Sequence, residues 1–422
     1  MKALSAAAIL GLWLTCSHTA CASELGDLLR ATLEHPAVQA RSLDTQAARD
    51  DMSAANRLYL GGGGFSAESS RYEDRRFAGV LSPATFANPP FARTISRYGV
   101  SYSIPIDLFG VITASREAAK SNMAAAELIE RQETLLKLHA AVDSYTRLQA
   151  LQRQAAAVRA QRQRVDTTLD RIRQEVQVQL AAGVDLKLAE SEAARIASDE
   201  VRLRGMMEEA RASLREATGR DALPSQPPRP IPSWPVDIAE ALPVQLARAQ
   251  AEAIGAQAKE AHRALLPSIA AVGDYSQYDG TSGIPDAWGV GARFTMPLDL
   301  SAHERANALD ARARAAERRQ AAAVGEVMRQ LAGLRAAYDS ALADLAAIET
   351  EVAARQQVVE VQAELQRVGV TSMEDLLRQQ RDLVDAESRR AEAQARAMQS
   401  WSASQVVLGA SVHDFIAQLD SD

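Results

Sequence analysis

Between Ile112 and Ala182 the chain runs for 71 residues without a proline or a glycine. Ala, Leu, Gln, Glu and Arg dominate the stretch, all of them residues that lose little on entering a helix. Leu151, Val158, Val165 and Ile172 recur every seven residues. Leu148, Ala155, Leu169 and Val176 mark the companion position, with Arg162 interrupting the row, so the spacing predicts a coiled-coil seam. At about 1.5 Å per residue the helix is on the order of 100 Å long, several times the width of a compact domain. A second stretch, Ala302 to Val368, has no proline and only Gly325 and Gly333, and predicts a second rod of similar length. Shorter helical stretches at about 24–58, 184–218, 237–264 and 370–408 flank the two rods. Their summed lengths match the rods in each half, which predicts short helices stacked end to end along each long one.

The two halves repeat. Setting Pro36 on Pro243 aligns Ala40-Arg41 with Ala247-Arg248. Each half has a Pro-aliphatic-Asp-Leu step (Pro105-Ile106-Asp107-Leu108 and Pro297-Leu298-Asp299-Leu300), a Gly-Val turn (Gly183-Val184 and Gly369-Val370) and a closing glycine, Gly219 or Gly409. Between them, Leu223 to Pro235 holds six prolines, too few donors for helix or sheet. The division read from this is a leader over 1–22, a first repeat over 23–219, a linker over 220–236, a second repeat over 237–410 and a tail over 411–422.

The leader has Lys2, an apolar run from Ala3 to Leu14, and Ala20-Cys21-Ala22 before Ser23, the layout of a secretory signal peptide. Cleavage after Ala22 is the favoured reading. Lipidation of Cys21 is the second, although His18 stands three residues before it, where lipoprotein signals carry Leu. A buried N-terminal helix is the third. The only other cysteine is Cys16, so no disulfide framework or zinc ribbon can be built downstream. After residue 23 no run of 18 apolar residues occurs, so any membrane-spanning part must be β-structure.

Thirteen of the 19 aromatic residues fall in 59–109 and 269–300. There Tyr98, Val100, Tyr102 and Ile104 alternate with Arg97, Gly99, Ser101 and Ser103, and Trp288, Val290, Ala292, Phe294 and Met296 alternate with Gly289, Gly291, Arg293 and Thr295. Period two with one apolar face predicts strands, in hairpins over about 62–104 and 268–296. Tyr98, Val100, Tyr102, Ile104, Trp288, Val290, Phe294 and Met296 are the candidate lipid-facing positions. A soluble sheet packed on helices is the alternative. Four strands cannot close a barrel, since spanning barrels start at eight, so the membrane reading requires several chains to pool their strands.

Other functions find little support. A net charge of −7 removes the motive for binding nucleic acid. The six histidines form no HExxH and no ligand spacing, and each reads as a surface or interfacial residue. Gly61 to Gly64 lacks the GxxxxGK[ST] pattern of a phosphate cradle. No catalytic residue, metal site or cofactor is expected.

Together these features resemble the outer-membrane efflux proteins of the TolC family over essentially the whole chain after the leader. The likeness rests on Glu34-His35-Pro36, on Leu265-Leu266-Pro267-Ser268, on the two Pro-aliphatic-Asp-Leu steps, and above all on Arg367-Val368-Gly369-Val370-Thr371-Ser372 followed by Asp375-Leu376-Leu377. The resemblance implies a mainly helical fold with a β-barrel segment, and a homotrimer whose three chains supply twelve strands to one transmembrane barrel. Long coiled-coil helices would form an α-barrel across the periplasm of a Gram-negative bacterium. It implies passive conduction in a tripartite efflux or secretion system, fed by an inner-membrane pump, proton-driven or ATP-driven, through a periplasmic adaptor. The turns Gly183-Val184-Asp185-Leu186 and Gly369-Val370-Thr371-Ser372 would meet the adaptor, glycine supplying the positive φ of a tight reversal. Asp375 stands where the family narrows the inner entrance. Arg378 stands where better-known members carry a second acid. The competing reading is an exported coiled-coil scaffold without a pore. Cargo, whether drug, metal ion or protein, is left open.

Overall fold

The structure is a computed structural model, which describes residues 23–80, 83–87, 89–180, 182–235, 241–279 and 286–420. The leader, with Cys21 and Ala22, lies outside the described residues.

Two helices open the chain, α1 (Glu24–Leu33) and α2 (Pro36–Arg57). The single helix predicted over 24–58 is therefore broken at Glu34 and His35. The cause is Pro36, which drives His35 into an extended conformation (ψ 137°). The imidazole of His35 then caps the new start, its Nδ1 accepting the Ala37 N–H at 3.1 Å. Strand β1 (Gly62–Phe77), the one-turn helix α3 (Pro83–Ala87) and strand β2 (Phe91–Ile106) follow.

The first rod, α4, covers Val111–Gln177, and α5 (Gly183–Thr218) folds back along it. Leu151, Val158, Val165 and Ile172 of α4 are all buried, and Ala189, Ile196, Leu203, Ala210 and Ala217 of α5 answer them with the same seven-residue spacing. The second half gives α6 (Leu242–Arg263), strands β3 (Ser268–Asp279) and β4 (Ala287–Thr295), the rod α7 (Leu300–Arg367) and α8 (Met373–Leu408). With 67 and 68 residues, α4 and α7 are each about 100 Å long. Helices α2, α5, α6 and α8 pack along α4, and α6 and α8 also pack along α7.

The Pro-aliphatic-Asp-Leu steps are helix starts. Asp107 accepts the backbone N–H of Ile112 at 3.0 Å and of Thr113 at 2.9 Å, and Asp299 accepts that of Ser301 at 2.8 Å. Each carboxylate satisfies donors at the first turn of a rod, where no intrahelical acceptor exists.

The Pro-rich segment is strapped across the helices, whose side chains donate to its carbonyls. Gln149 on α4 donates to the carbonyl of Gln226, Gln394 on α8 to that of Arg229, and Tyr338 on α7 to that of Pro232. Beyond Gly409 the tail forms a helix, α9 (Val412–Asp420), which buries Phe415 against Trp401 with ring centroids 5.8 Å apart. Asp420 closes the circuit by accepting the Ser23 N–H at 2.9 Å and pairing with Arg30.

The four strands form one antiparallel sheet in the order β1-β2-β3-β4. The central pairing, with Val100 opposite Tyr275 and Ile106 opposite Ile269, joins the two hairpins. Both edges, β1 and β4, have no strand beside them among the described residues. No helix among the described residues is long and apolar enough to cross a membrane.

Candidate functional site: two helical turns and a two-faced sheet

The reversals at the far ends of the rods are built alike. At the end of α4 the Gln179 N–H donates to the Val176 carbonyl (3.1 Å) and the Leu180 N–H to that of Glu175 (2.8 Å). At the end of α7 the Gly369 N–H donates to Gln366 (3.1 Å) and the Val370 N–H to Leu365 (2.9 Å). This pattern closes a helix through one left-handed residue. Gly369 fills that place in the second turn with φ 76°, and Gln179 fills it in the first with φ 60°.

The assignment of a reversing role to Gly183 is thereby corrected. Gly183 is the first residue of α5, four residues past the reversal, with open space where a Cβ would stand. The structural match pairs Gln179 with Gly369, Ala182 with Ser372 as N-cap residues, and Asp185 with Asp375. A repeated Gly-Val dipeptide masks this register in the sequence.

Val178, Leu180, Val184, Val368 and Val370 are exposed on the two turns. A groove of about 600 Å³ lies between them, with Ile172, Glu175, Asp185, Gln366 and Thr371 in its walls. Arg171 on α4 donates to Gln366 on α7 across it. Ser372 caps α8: its Oγ accepts the Asp375 N–H at 3.1 Å and donates to the Asp375 carboxylate at 2.6 Å. Arg378, one turn on, pairs with the same carboxylate. Asp375 and Arg378 are thus one ion pair at the start of α8, both in contact with water.

Further up the rods lies a buried carboxylate that the sequence reading passed over. Glu192 on α5 has only 7% of its side chain exposed. It accepts from Gln161 on α4 at 3.0 Å and from Arg195 at 2.7 Å, with Arg381 of α8 3.8 Å away. The signal was available, for Glu192 interrupts the apolar seam between Ala189 and Ile196.

The sheet has two chemically distinct faces. Cross-strand pairs Phe65 with Val100, Val100 with Tyr275 and Tyr275 with Trp288 put these residues on one face. Tyr98, Tyr102, Ile104, Val290 and Phe294 share it by alternation and are all exposed, Trp288 and Val290 by 75% and 79%. Met296 is exposed too, one residue past the end of β4. The other face carries Glu68 opposite Arg97, Ser101 opposite Asp274, and Arg293. Arg97 donates to Ser276 at 3.2 Å.

Among the described residues the histidines do not converge. His139 sits between α4 and α8, its Nδ1 2.8 Å from Ser402 Oγ. Burial pushes its pKa down, against the pull of Asp143. His262 meets Asp310 at 2.7 Å. Among the described residues no group of three or more His, Cys, Asp or Glu is arranged to hold a metal ion.

Long paired rods ending in a small two-faced sheet define a class, and the comparisons identify it. The family model described as outer membrane efflux protein matches residues 28–220 and 238–410, and the chain belongs to that family. Its members are transport proteins of the outer membrane, not enzymes. Among solved structures, the fold is similar to that of the Campylobacter jejuni CmeC outer membrane channel (TM-score 0.79, 15% identity, covering 91% of this chain and 85% of that one). It is similar also to the outer membrane protein VceC from Vibrio cholerae (0.76, 18%, 91% and 96%). The open state of the Neisseria gonorrhoeae MtrE outer membrane channel is a third (0.74, 18%, 91% and 88%). Among curated proteins none matches the chain in sequence.

Proposed function

We propose that three copies of this chain pool their sheets into one twelve-stranded transmembrane barrel, and that their rods continue it as a helical tunnel across the periplasm. The observation that carries this reading is the four-stranded sheet itself. One face is apolar and exposed, the other is polar, and both edges lack a partner strand among the described residues. A barrel closed from three such sheets turns the first face to lipid, the second to a water-filled channel, and pairs every edge.

Cargo then moves passively, delivered by an inner-membrane pump and a periplasmic adaptor. The two turns, Gly183 to Leu186 with Gln179 and Leu180 beside it, and Gly369 to Ser372, are the adaptor contacts on this reading, and their matched hydrogen bonding supports two tandem repeats, over 23–219 and 237–410. The Asp375–Arg378 pairs of three chains would ring the inner entrance. Because each carboxylate already has its own guanidinium, the ring attracts cations less, and its members repel one another less, than bare carboxylates would.

Single-channel conductance of the purified protein in planar bilayers, with crosslinking to count chains, tests the proposal. Discrete conductance from a crosslinked trimer is expected, with a larger or less cation-sensitive current in Asp375→Ala. A soluble, non-conducting protein would overturn the channel and leave an exported coiled-coil scaffold.

A further inference from the structure

The far end of the first hairpin departs from the chemistry of the rest of the chain. The chain carries a net −7, yet residues 62–106 hold five arginines (Arg71, Arg75, Arg76, Arg93, Arg97) against Glu68, Glu73 and Asp74. All five arginines are exposed. The ion pairs found among the described residues include none of them. Regular pairing stops at Arg71 opposite Thr94 and resumes at Arg76 opposite Ala92, so Tyr72 to Arg75 bulge out against Arg93 alone. The irregularity gathers Arg71, Arg75 and Arg76 at one place. Arg76 lies over the ring of Tyr72, 4.5 Å from its centroid, an arrangement that holds a guanidinium without neutralising it.

Register assigns these arginines to faces. Thr94 and Ala92 alternate in step with Tyr98, Val100, Tyr102 and Ile104, so Arg71 and Arg76 crown the apolar face. Arg93 and Arg97 fall on the polar face. Going outward along the apolar face from Ile106, the large apolar side chains end at Tyr98. A hydroxyl row follows, with Ser69 Oγ 2.9 Å from Ser96 Oγ, and then Arg71. Strands rise about 3.3 Å per residue and tilt by roughly 40° in spanning barrels, so the apolar rows span about 20 Å along the membrane normal. Arg71 stands about 10 Å beyond them, where hydrocarbon gives way to head groups.

We propose that Arg71 and Arg76, with Arg75 beside them, form a docking surface for the phosphate of an anionic lipid head group in the outer leaflet. Guanidinium and phosphate are matched in charge and in planar, two-pronged hydrogen bonding. The position continues the apolar face, so one lipid can lay its chains on Tyr98 and Val100 and its phosphate on the arginines. Glu73 and Asp74, exposed in the same bulge, still leave Arg71, Arg75 and Arg76 a surplus of positive charge. The inference rests on the apolar face meeting lipid.

The test is lipid retention. Purified protein in detergent is incubated with diphosphoryl lipid A, with its dephosphorylated form, or with phosphatidylcholine, and bound lipid is measured after gel filtration. Wild type is expected to retain the diphosphoryl form, and Arg71→Gln/Arg76→Gln to retain about thirtyfold less, given the attraction each arginine contributes at an anionic surface. Arg93→Gln, on the opposite face, is expected to match wild type and controls for folding. Equal retention by the double variant overturns the proposal. So does displacement of the lipid by inorganic phosphate, which would mark a free-anion site. Quenching of Trp288 by brominated phosphatidylcholine, read against Trp288→Phe, separates the two layers. A quenched Trp288 with equal retention sinks only the arginine surface, whereas an unquenched Trp288 sinks the lipid-facing reading.

Discussion

Gln179 holds the first helical turn in a conformation that its own side chain disfavours. At φ 60° it is the one non-glycine residue with positive φ among the described residues, and Gly369 does the same work in the second turn at φ 76°. A side chain in the left-handed region costs about 1–2 kcal/mol. Glycine avoids that cost but loses more chain entropy on ordering, by about 0.5–1 kcal/mol. Gln179→Gly should therefore stabilise the first turn by roughly 0.5–1 kcal/mol, and Gly369→Gln should loosen the second by a similar amount. Because the turn opens locally, without unfolding the rods, the assay is amide hydrogen exchange across residues 176–186. Exchange about two- to fivefold slower in Gln179→Gly is the expected result, since 1.4 kcal/mol is a factor of ten. Gly183→Ala supplies the contrast. With no atom near its missing Cβ and a place in the first turn of α5, it should leave exchange unchanged or slow it. Unchanged or faster exchange in Gln179→Gly, or a turn opened by Gly183→Ala, would refute the assignment of the reversal to Gln179.

Asp420 titrates with the docking of α9. Burial raises its pKa, but the Ser23 backbone and hydroxyl and the Arg30 guanidinium outweigh that and hold it below the ordinary carboxylate value. A lowered native pKa gives stability that is complete above about pH 4 and is lost as pH falls through the native value. Trp401 fluorescence, sensitive to Phe415 of α9, should report an acid-induced step that Asp420→Asn abolishes, and an identical step in the variant would exclude this carboxylate as its source. At Glu192, replacement by Ala removes the shared partner of Gln161, Arg195 and Arg381. Both arginines reach water, each with 43% of its side chain exposed, so the cost should be about 1–2 kcal/mol instead of the larger penalty for stranding a buried charge. A thermal midpoint that does not move in Glu192→Ala would show the network to be inert.

The rods were legible because a helix of this length is defined by what is missing. Any interior proline would have broken α4, and the heptad from Leu151 to Ile172 named the face that it buries. The Pro-aliphatic-Asp-Leu steps were visible as a repeat, yet their meaning as caps at Asp107 and Asp299 needed the backbone donors of the following turn. The first turn was misregistered because a sequence pattern locates glycines, and here the left-handed residue is a glutamine. In the first hairpin the alternation marks only part of the strands. Both β1 and β2 run 16 residues, and the outer third of β1 carries Glu73, Asp74, Arg75 and Arg76, and that of β2 Arg93, Thr94 and Ser96, in place of the apolar alternation that marks strands to a reader. The strap formed by the Pro-rich linker was hidden for another reason, since its partners Gln149, Tyr338 and Gln394 come from three different helices.

Assembly and insertion are coupled if this sheet enters lipid. Strand β4 has nine residues and, among the described residues, pairs only with β3, so roughly half of its N–H and C=O groups point away from the sheet. Water satisfies them before insertion; hydrocarbon does not, and each unsatisfied group there costs several kcal/mol. The same holds along β1. A single copy in the bilayer would bear two such edges, a penalty that burying its apolar face cannot offset, whereas three copies closed on one another bear none. The apolar face favours insertion and the open edges forbid it to a lone chain. On the proposed trimeric reading, the species that enters the membrane is then the closed ring, or three chains that close as they enter, because the open edges disfavour a pore made by one chain.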